Sequence, residues 1–158
     1  NHILGGGSFS SRLYREVREK RGLAYGVSDN LVWFRRAAVV LGGTATRADR
    51  TADALSIIEE ETKRMGDSGP TPDELAAAKS YLKGAYALSL DSSNKIAAQL
   101  TQIQLDNLGM DYIQRRDKLI DAVTIADARR VAKRLYGGGM LVTVAGKPKG
   151  LASSGTAE

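Results

Sequence analysis

Two residues near the amino end combine types that suit a bound ligand. Arg18 carries a permanent cation with a fork of N–H donors, and Tyr25, seven positions later, carries a neutral hydroxyl donor. Gly22 lies between them, so the pair flanks one tight corner and could face a common ligand. Surface arginines and core tyrosines are common, so on residue types alone the pair also reads as an exposed helix-end Arg and a half-buried strand Tyr. Upstream stand Gly5, Gly6 and Gly7. Ordering three glycines costs much entropy, so this run is expected to stay mobile or to let a ligand's backbone come close. No Gly-Lys-Ser/Thr follows, which excludes a phosphate loop. The chain has one histidine, His2, and no cysteine. A catalytic zinc needs about three protein ligands, so no metal is expected on this chain, and His2 is read as a structural or exposed helix-end residue.

These residues need elements to hold them. Asn1 to Leu4 read as the last turn of a helix ending at the glycines. Ser8 or Ser10 can cap a short basic helix whose apolar stripe is Leu13 and Val17. Gly22 suits its left-handed end, and Arg18, Lys20 and Arg21 lie where the helix dipole favours cations. The cluster from Arg12 to Arg21 reads as a solvated helix face. Leu23 to Trp33 reads as a strand, with Leu23, Tyr25 and Val27 on one side and Ala24, Gly26 and Ser28 on the other. Phe34-Arg35-Arg36 is the expected turn, and Ala37 to Gly43 returns as an antiparallel partner. Its unbroken run Ala38 to Leu41 suggests burial on both faces.

Helices follow. Thr46 with Asp49 looks like a capping box opening a helix whose stripe is Thr51, Leu55, Ile58, Thr62 and Met65, with Gly66 ending it. Thr71-Pro72-Asp73-Glu74 is a stronger start, combining a Thr cap, Pro at the first position and Glu at the third. Its stripe is Leu75, Ala78, Leu82, Ala85 and Tyr86. Asp91 to Asn94 recaps a helix with Ile96, Leu100, Ile103 and Leu108. A short helix spans Tyr112 to Ile120. The last starts at Thr124 to Asp127, buries Ile125, Ala128, Val131 and Leu135, and closes at Gly137. Met140 to Ala145 reads as a terminal strand, and 147–158 as a disordered tail.

A chain of 158 residues, 42% hydrophobic and 26% charged, is enough for one soluble domain with a real core. The fold class is α+β, helices packed on one face of an antiparallel sheet. The net charge of +5 is dispersed, without the concentrated basic face and aromatic platforms of a nucleic-acid binder. No run approaches a membrane span. Lack of cysteine fits cytosol and periplasm equally. Three strands are few for so many helices, and the chain reads as a domain lacking amino-end strands, with an open edge that invites self-association.

The run Gly5-Gly6-Gly7-Ser8-Phe9-Ser10-Ser11-Arg12-Leu13, followed by Val17-Arg18-Glu19-Lys20-Arg21-Gly22-Leu23-Ala24-Tyr25-Gly26-Val27, resembles the second, non-zinc domain of the pitrilysin/insulinase-type zinc peptidases. That family includes mitochondrial processing peptidases and paired bacterial half-enzymes. The resemblance implies that 1–146 form the carboxyl-side domain of such a peptidase, truncated at its amino end, in a periplasmic or cytoplasmic bacterial protein. It implies that Arg18 and Tyr25 are catalytic, stabilising the oxyanion of a peptide substrate. Gly5, Gly6 and Gly7 would bind substrate. Zinc would sit in the complete enzyme, on another domain or subunit in an H-x-x-E-H helix, so this chain alone is expected to be inactive. The alternative within the same family is a catalytically inactive scaffold or assembly subunit.

Overall fold

The structure, a computed structural model, describes residues 1–34 and 36–151. The described residues divide into two compact units, one of 1–70 with 129–151 and one of 71–128.

The first unit holds the hairpin. A π-helical turn, His2–Gly6, and a 3-10 turn, Ser8–Ser10, lead into a helix that starts at Arg12 and widens to π geometry over Tyr14–Glu19. The cap is Ser11 rather than Ser10: its Oγ accepts from the Tyr14 N–H at 3.4 Å, while the Ser10 hydroxyl donates to the Gly7 carbonyl; the side chain of Ser8 lies outside those described. Gly22 closes the helix at φ +58°, and the N–H groups of Gly22 and Leu23 return to the carbonyls of Arg18 and Val17 at 2.9 Å each. Strand β1 (Ala24–Phe34) then pairs antiparallel with β2 (Ala37–Thr46). Arg35, within the expected turn, lies outside the described residues. The core gathers Leu4, Leu13, Val17, Ala24, Val27, Met65, Ala132 and Tyr136, so helices cover one face of the sheet.

Several expectations are corrected here. Ala38, Val39 and Leu41 are exposed, because β2 has only β1 beside it among the described residues, and the hairpin end carries Trp33 at 75% exposure. Thr46 caps nothing. Its hydroxyl donates to the Leu23 carbonyl at 2.6 Å, Asp49 pairs with Arg47, and helix α1 (Thr51–Ser68) begins only after a 3-10 turn. It ends at Gly69, φ +69°, beyond Gly66. Met140 to Ala145 form no strand. β preference needs a partner edge to act on, and none of the described residues supplies one. The tail expected over 147–158 lies outside the described residues from 152 on; before that, the Lys149 N–H donates to the Ala48 carbonyl at 2.9 Å.

The second unit holds α2 (Pro72–Leu88), α3 (Ser93–Leu105), α4 (Tyr112–Ala122) and the start of α5 (Ile125–Tyr136). Thr71 and Glu74 form the capping box as read, and Thr124 and Asp127 repeat the exchange. Helix α2 packs on α4 through Arg116, whose guanidinium lies 4.1 Å from the Tyr86 ring centre and donates to the Leu82 carbonyl. On α3 only Ile103 of the expected stripe is fully buried, because no other element of this unit lies extensively along it among the described residues. In the first unit's part of α5 the buried side chains are Ala132 and Tyr136, while Val131 and Leu135, expected inside, are exposed. The stripe there runs one position later than the apolar count suggests.

Candidate functional site

Arg18 and Tyr25 do meet. The Arg18 guanidinium carbon lies 4.6 Å from the centre of the Tyr25 ring and 4.9 Å from that of Tyr14. Both are within the range of a cation–aromatic contact. The cation therefore contacts both rings, and its Nη1 also donates to the Tyr14 hydroxyl. Phe9 sets its ring edge-on to Tyr14, centres 5.0 Å apart and planes at 81°. Tyr14 is buried, Arg18 half-buried, and Tyr25 is 85% exposed. A permanent cation and a phenol thus lie together at one corner, where a ligand can reach them.

The exposure of Tyr25 overturns the regular alternation expected for this strand. The pairing of β1 with β2 shifts by one residue between Ala24 and Val27. Such a bulge adds a residue to one strand and breaks its two-residue period. Ala24 and Val27 both turn inward, leaving Tyr25 and Gly26 outside. Thr44 and Thr46 of β2 accommodate the irregularity, their hydroxyls donating to the carbonyls of Gly26 and Leu23. Gly26, a glycine inside a strand, was the signal that could have found it.

The glycines do not form an open loop. Gly5 belongs to the first π-helical turn and lies so close to β1 that a Cβ there would come 2.6 Å from Asp29 Oδ1. A Cβ on Gly7 would come 2.6 Å from the His2 carbonyl. Gly5 and Gly7 are buried, and Gly6 alone is exposed. The close approach that the sequence reading reserved for a ligand's backbone is made at Gly5 and Gly7 by the chain's own Asp29 and His2.

Asp29 is a residue that the sequence reading missed. It is buried in mid-strand, accepts from Asn1 Nδ2 at 2.8 Å and from the Tyr136 hydroxyl at 3.4 Å, and takes the Gly5 N–H. Burial raises its carboxyl above the usual range and raises the Tyr136 phenol likewise. Arg12, expected on the solvated face, is 5% exposed, and its Nη2 donates to the Gly69 carbonyl at 3.1 Å. Glu16, four positions later, is also buried and gathers Lys20 and Arg21 at 2.7 Å each. Their hydrogen bonds hold its pKa at about 2.

The donors for zinc do not fit. His2 lies in the first turn with its pKa lowered by burial, and among the described residues no three His, Cys, Asp or Glu side chains converge as metal ligands. Nor is any described helix long and apolar enough to cross a membrane.

The hairpin unit is an α+β arrangement that carries a cation–phenol pair at a bulged strand corner. Residues 1–82 match the family described as the Peptidase M16 inactive domain, and the chain belongs to that pitrilysin/insulinase family. It is 33% identical over 150 residues to an uncharacterized zinc protease of Mycobacterium leprae, covering 92% of this chain and 34% of the relative. It is 31% identical over 86 residues to a protein named a non-peptidase homolog in Helicobacter pylori, covering 54% and 20%. The crystal structure of a peptidase M16 inactive domain from Pseudomonas fluorescens superimposes at a TM-score of 0.74, with 31% identity, 85% of this chain and 32% of that one. A chain of complex III2 from Candida albicans shares the fold at a TM-score of 0.65 and 20% identity, covering 79% and 30%. The chain thus spans about a third of the length of the zinc protease relative, at 34%.

Proposed function

We propose that this chain is the substrate-holding and transition-state-stabilising domain of a zinc-dependent peptidase whose zinc is held by another domain or subunit. The observation that carries the reading is the Arg18–Tyr25 pair, stacked at 4.6 Å and reaching solvent at one corner. Zinc, where it is bound, would supply the activated water. The share of this chain is charge stabilisation. Attack on a peptide carbonyl builds negative charge on its oxygen, and a fixed guanidinium and phenol donor can receive that charge. Of Gly5, Gly6 and Gly7, Gly6 is proposed to meet the substrate through its exposed backbone, while the buried Gly5 and Gly7 shape the turn that presents it. The zinc proteases among the relatives support this reading.

The test is steady-state kinetics on a short peptide with the complete enzyme. Tyr25→Phe and Arg18→Ala should each lower kcat about 100- to 1000-fold, or at least about tenfold if the donor is shared with solvent. Their double variant should be far from additive. Lys at position 18 should not restore full rate, since it keeps the charge and loses the planar fork. Wild-type turnover in both single variants, with the fold intact, would defeat the proposal. The second reading, a scaffold or assembly subunit without catalysis, is favoured by the non-peptidase homolog of Helicobacter pylori, and that result would bring it forward.

A further inference from the structure

We propose that Tyr14 is a positioning residue for Arg18, fixing its guanidinium before substrate arrives; this rests on the reading of Arg18 as an oxyanion donor. Arg18 stands near the end of a short helix on a long side chain with several free torsions, and such a group loses substantial rotamer entropy when it is fixed. Tyr14 removes that freedom in two ways. Its ring lies 4.9 Å from the guanidinium carbon, which also contacts Tyr25 at 4.6 Å, and its hydroxyl accepts from Arg18 Nη1. The spacing of four residues places both side chains on one helix face. The remaining N–H groups of the fork stay available to a ligand.

Tyr14 itself is too buried to touch a substrate, which separates its role from that of Tyr25. Its ring is set in turn by the edge of Phe9, which comes from the 3-10 turn after the glycines. A phenylalanine at position 14 would keep the ring, the burial and the Phe9 contact. The hydroxyl therefore acts on Arg18 and on nothing else among the contacts of Tyr14 described here.

The decisive experiment uses the complete peptidase with its zinc-bearing domain. Tyr14→Phe should lower kcat about threefold to tenfold, a modest fraction of what misplacing a catalytic group can cost. KM should stay within about twofold, because ground-state binding does not depend on the preset fork. In an Arg18→Ala background the same change should cost nothing further. Side-chain nitrogen NMR of Arg18 should show an N–H signal in the wild type that exchanges away in Tyr14→Phe, with thermal unfolding unchanged. Unaltered kcat in Tyr14→Phe while Arg18→Ala is slow, or an equal loss in the Arg18→Ala background, overturns the positioning role and leaves the proposed function standing. Full turnover in Arg18→Ala defeats the catalytic reading instead. The Arg18 signal then still reports whether Tyr14 holds the guanidinium, and an unchanged signal overturns that too.

Discussion

Replacing Glu16 by Gln should make the first unit less stable at neutral pH and progressively indistinguishable from wild type in acid. The carboxylate is buried, with Lys20 Nζ and Arg21 Nη1 each at 2.7 Å. Hydrogen bonds from Lys20 first and Arg21 second lower its pKa from 4.5 to about 2. A displacement of that size corresponds to a ceiling of about 3.4 kcal/mol, at about 1.36 kcal/mol per unit. Both cations are largely solvated, with side chains 56% and 41% exposed. Water and salt therefore screen the attraction, and about 1–2 kcal/mol is the figure to expect. The folded pKa lies below the unfolded one. The contribution is therefore complete above about pH 4.5 and disappears as the pH falls from there toward about 2. Gln keeps the shape and one acceptor, and the Glu16 backbone carbonyl still takes Arg21 Nη1 at 3.0 Å. The assay is urea unfolding of both proteins at intervals from pH 7 to pH 3, at low and high salt. The gap should narrow in acid and in salt. A gap of constant size across that range, or none at pH 7, would refute the argument that the ion cluster stabilises this helix.

Arg12→Ala should cost about 1–3 kcal/mol by urea midpoint, since it leaves the Gly69 carbonyl without the buried donor that now lies 3.1 Å away; unaltered stability would return Arg12 to the solvated face. Gly5→Ala forces a Cβ to within 2.6 Å of Asp29 Oδ1 and should destabilise by about 1–3 kcal/mol. Gly26→Ala meets nothing within 4 Å and should be tolerated, so equal melting losses in the two would be a contrary result. Asp29 has the opposite sign to Glu16. Burial raises its folded pKa above the 3.8 of an ordinary carboxyl, so stability should decline as the pH rises through that window, and Asp29→Asn should flatten the decline. Parallel pH–stability curves for the two proteins would contradict this.

Features written in short stretches of sequence were the legible ones. The Thr71–Glu74 box and the αL corner at Gly22 each depend on residues a few positions apart. The meeting of Arg18 and Tyr25 at one corner was likewise readable from a single run. What escaped depends on partners far along the chain. Arg12 finds Gly69 across 57 positions, and Asp29 finds Tyr136 across 107. No periodicity encodes such contacts, so a buried Arg and a buried Asp look like surface residues until the chain is folded. The failure on α5 differs in kind. Val131 and Leu135 are more apolar than Ala132 and Tyr136 beside them, and hydrophobicity alone could not show which face meets the hairpin unit's core. Tyr14 was not singled out in the sequence, and its contacts with Arg18 appear only once the chain is folded.

The bulge at Tyr25 and Gly26 separates two measurements that the chain must satisfy at once. Beyond it, the ladder from Ser28↔Gly43 to Phe34↔Ala37 counts back from the hairpin end, while Ala24 is counted forward from the corner at Gly22. The irregularity absorbs the one-residue mismatch between them, much as an expansion joint does between two fixed spans. Loss of a residue at position 26 would remove only the slack, with Ala24 and Val27 still inward and Tyr25 still outward. Loss of a residue between 28 and 34 would turn over the rest of the strand, because each side chain past the cut changes faces. One residue of length can therefore be lost at the joint beside Tyr25 without reversing a face, and not along the plainer stretch of strand beyond it.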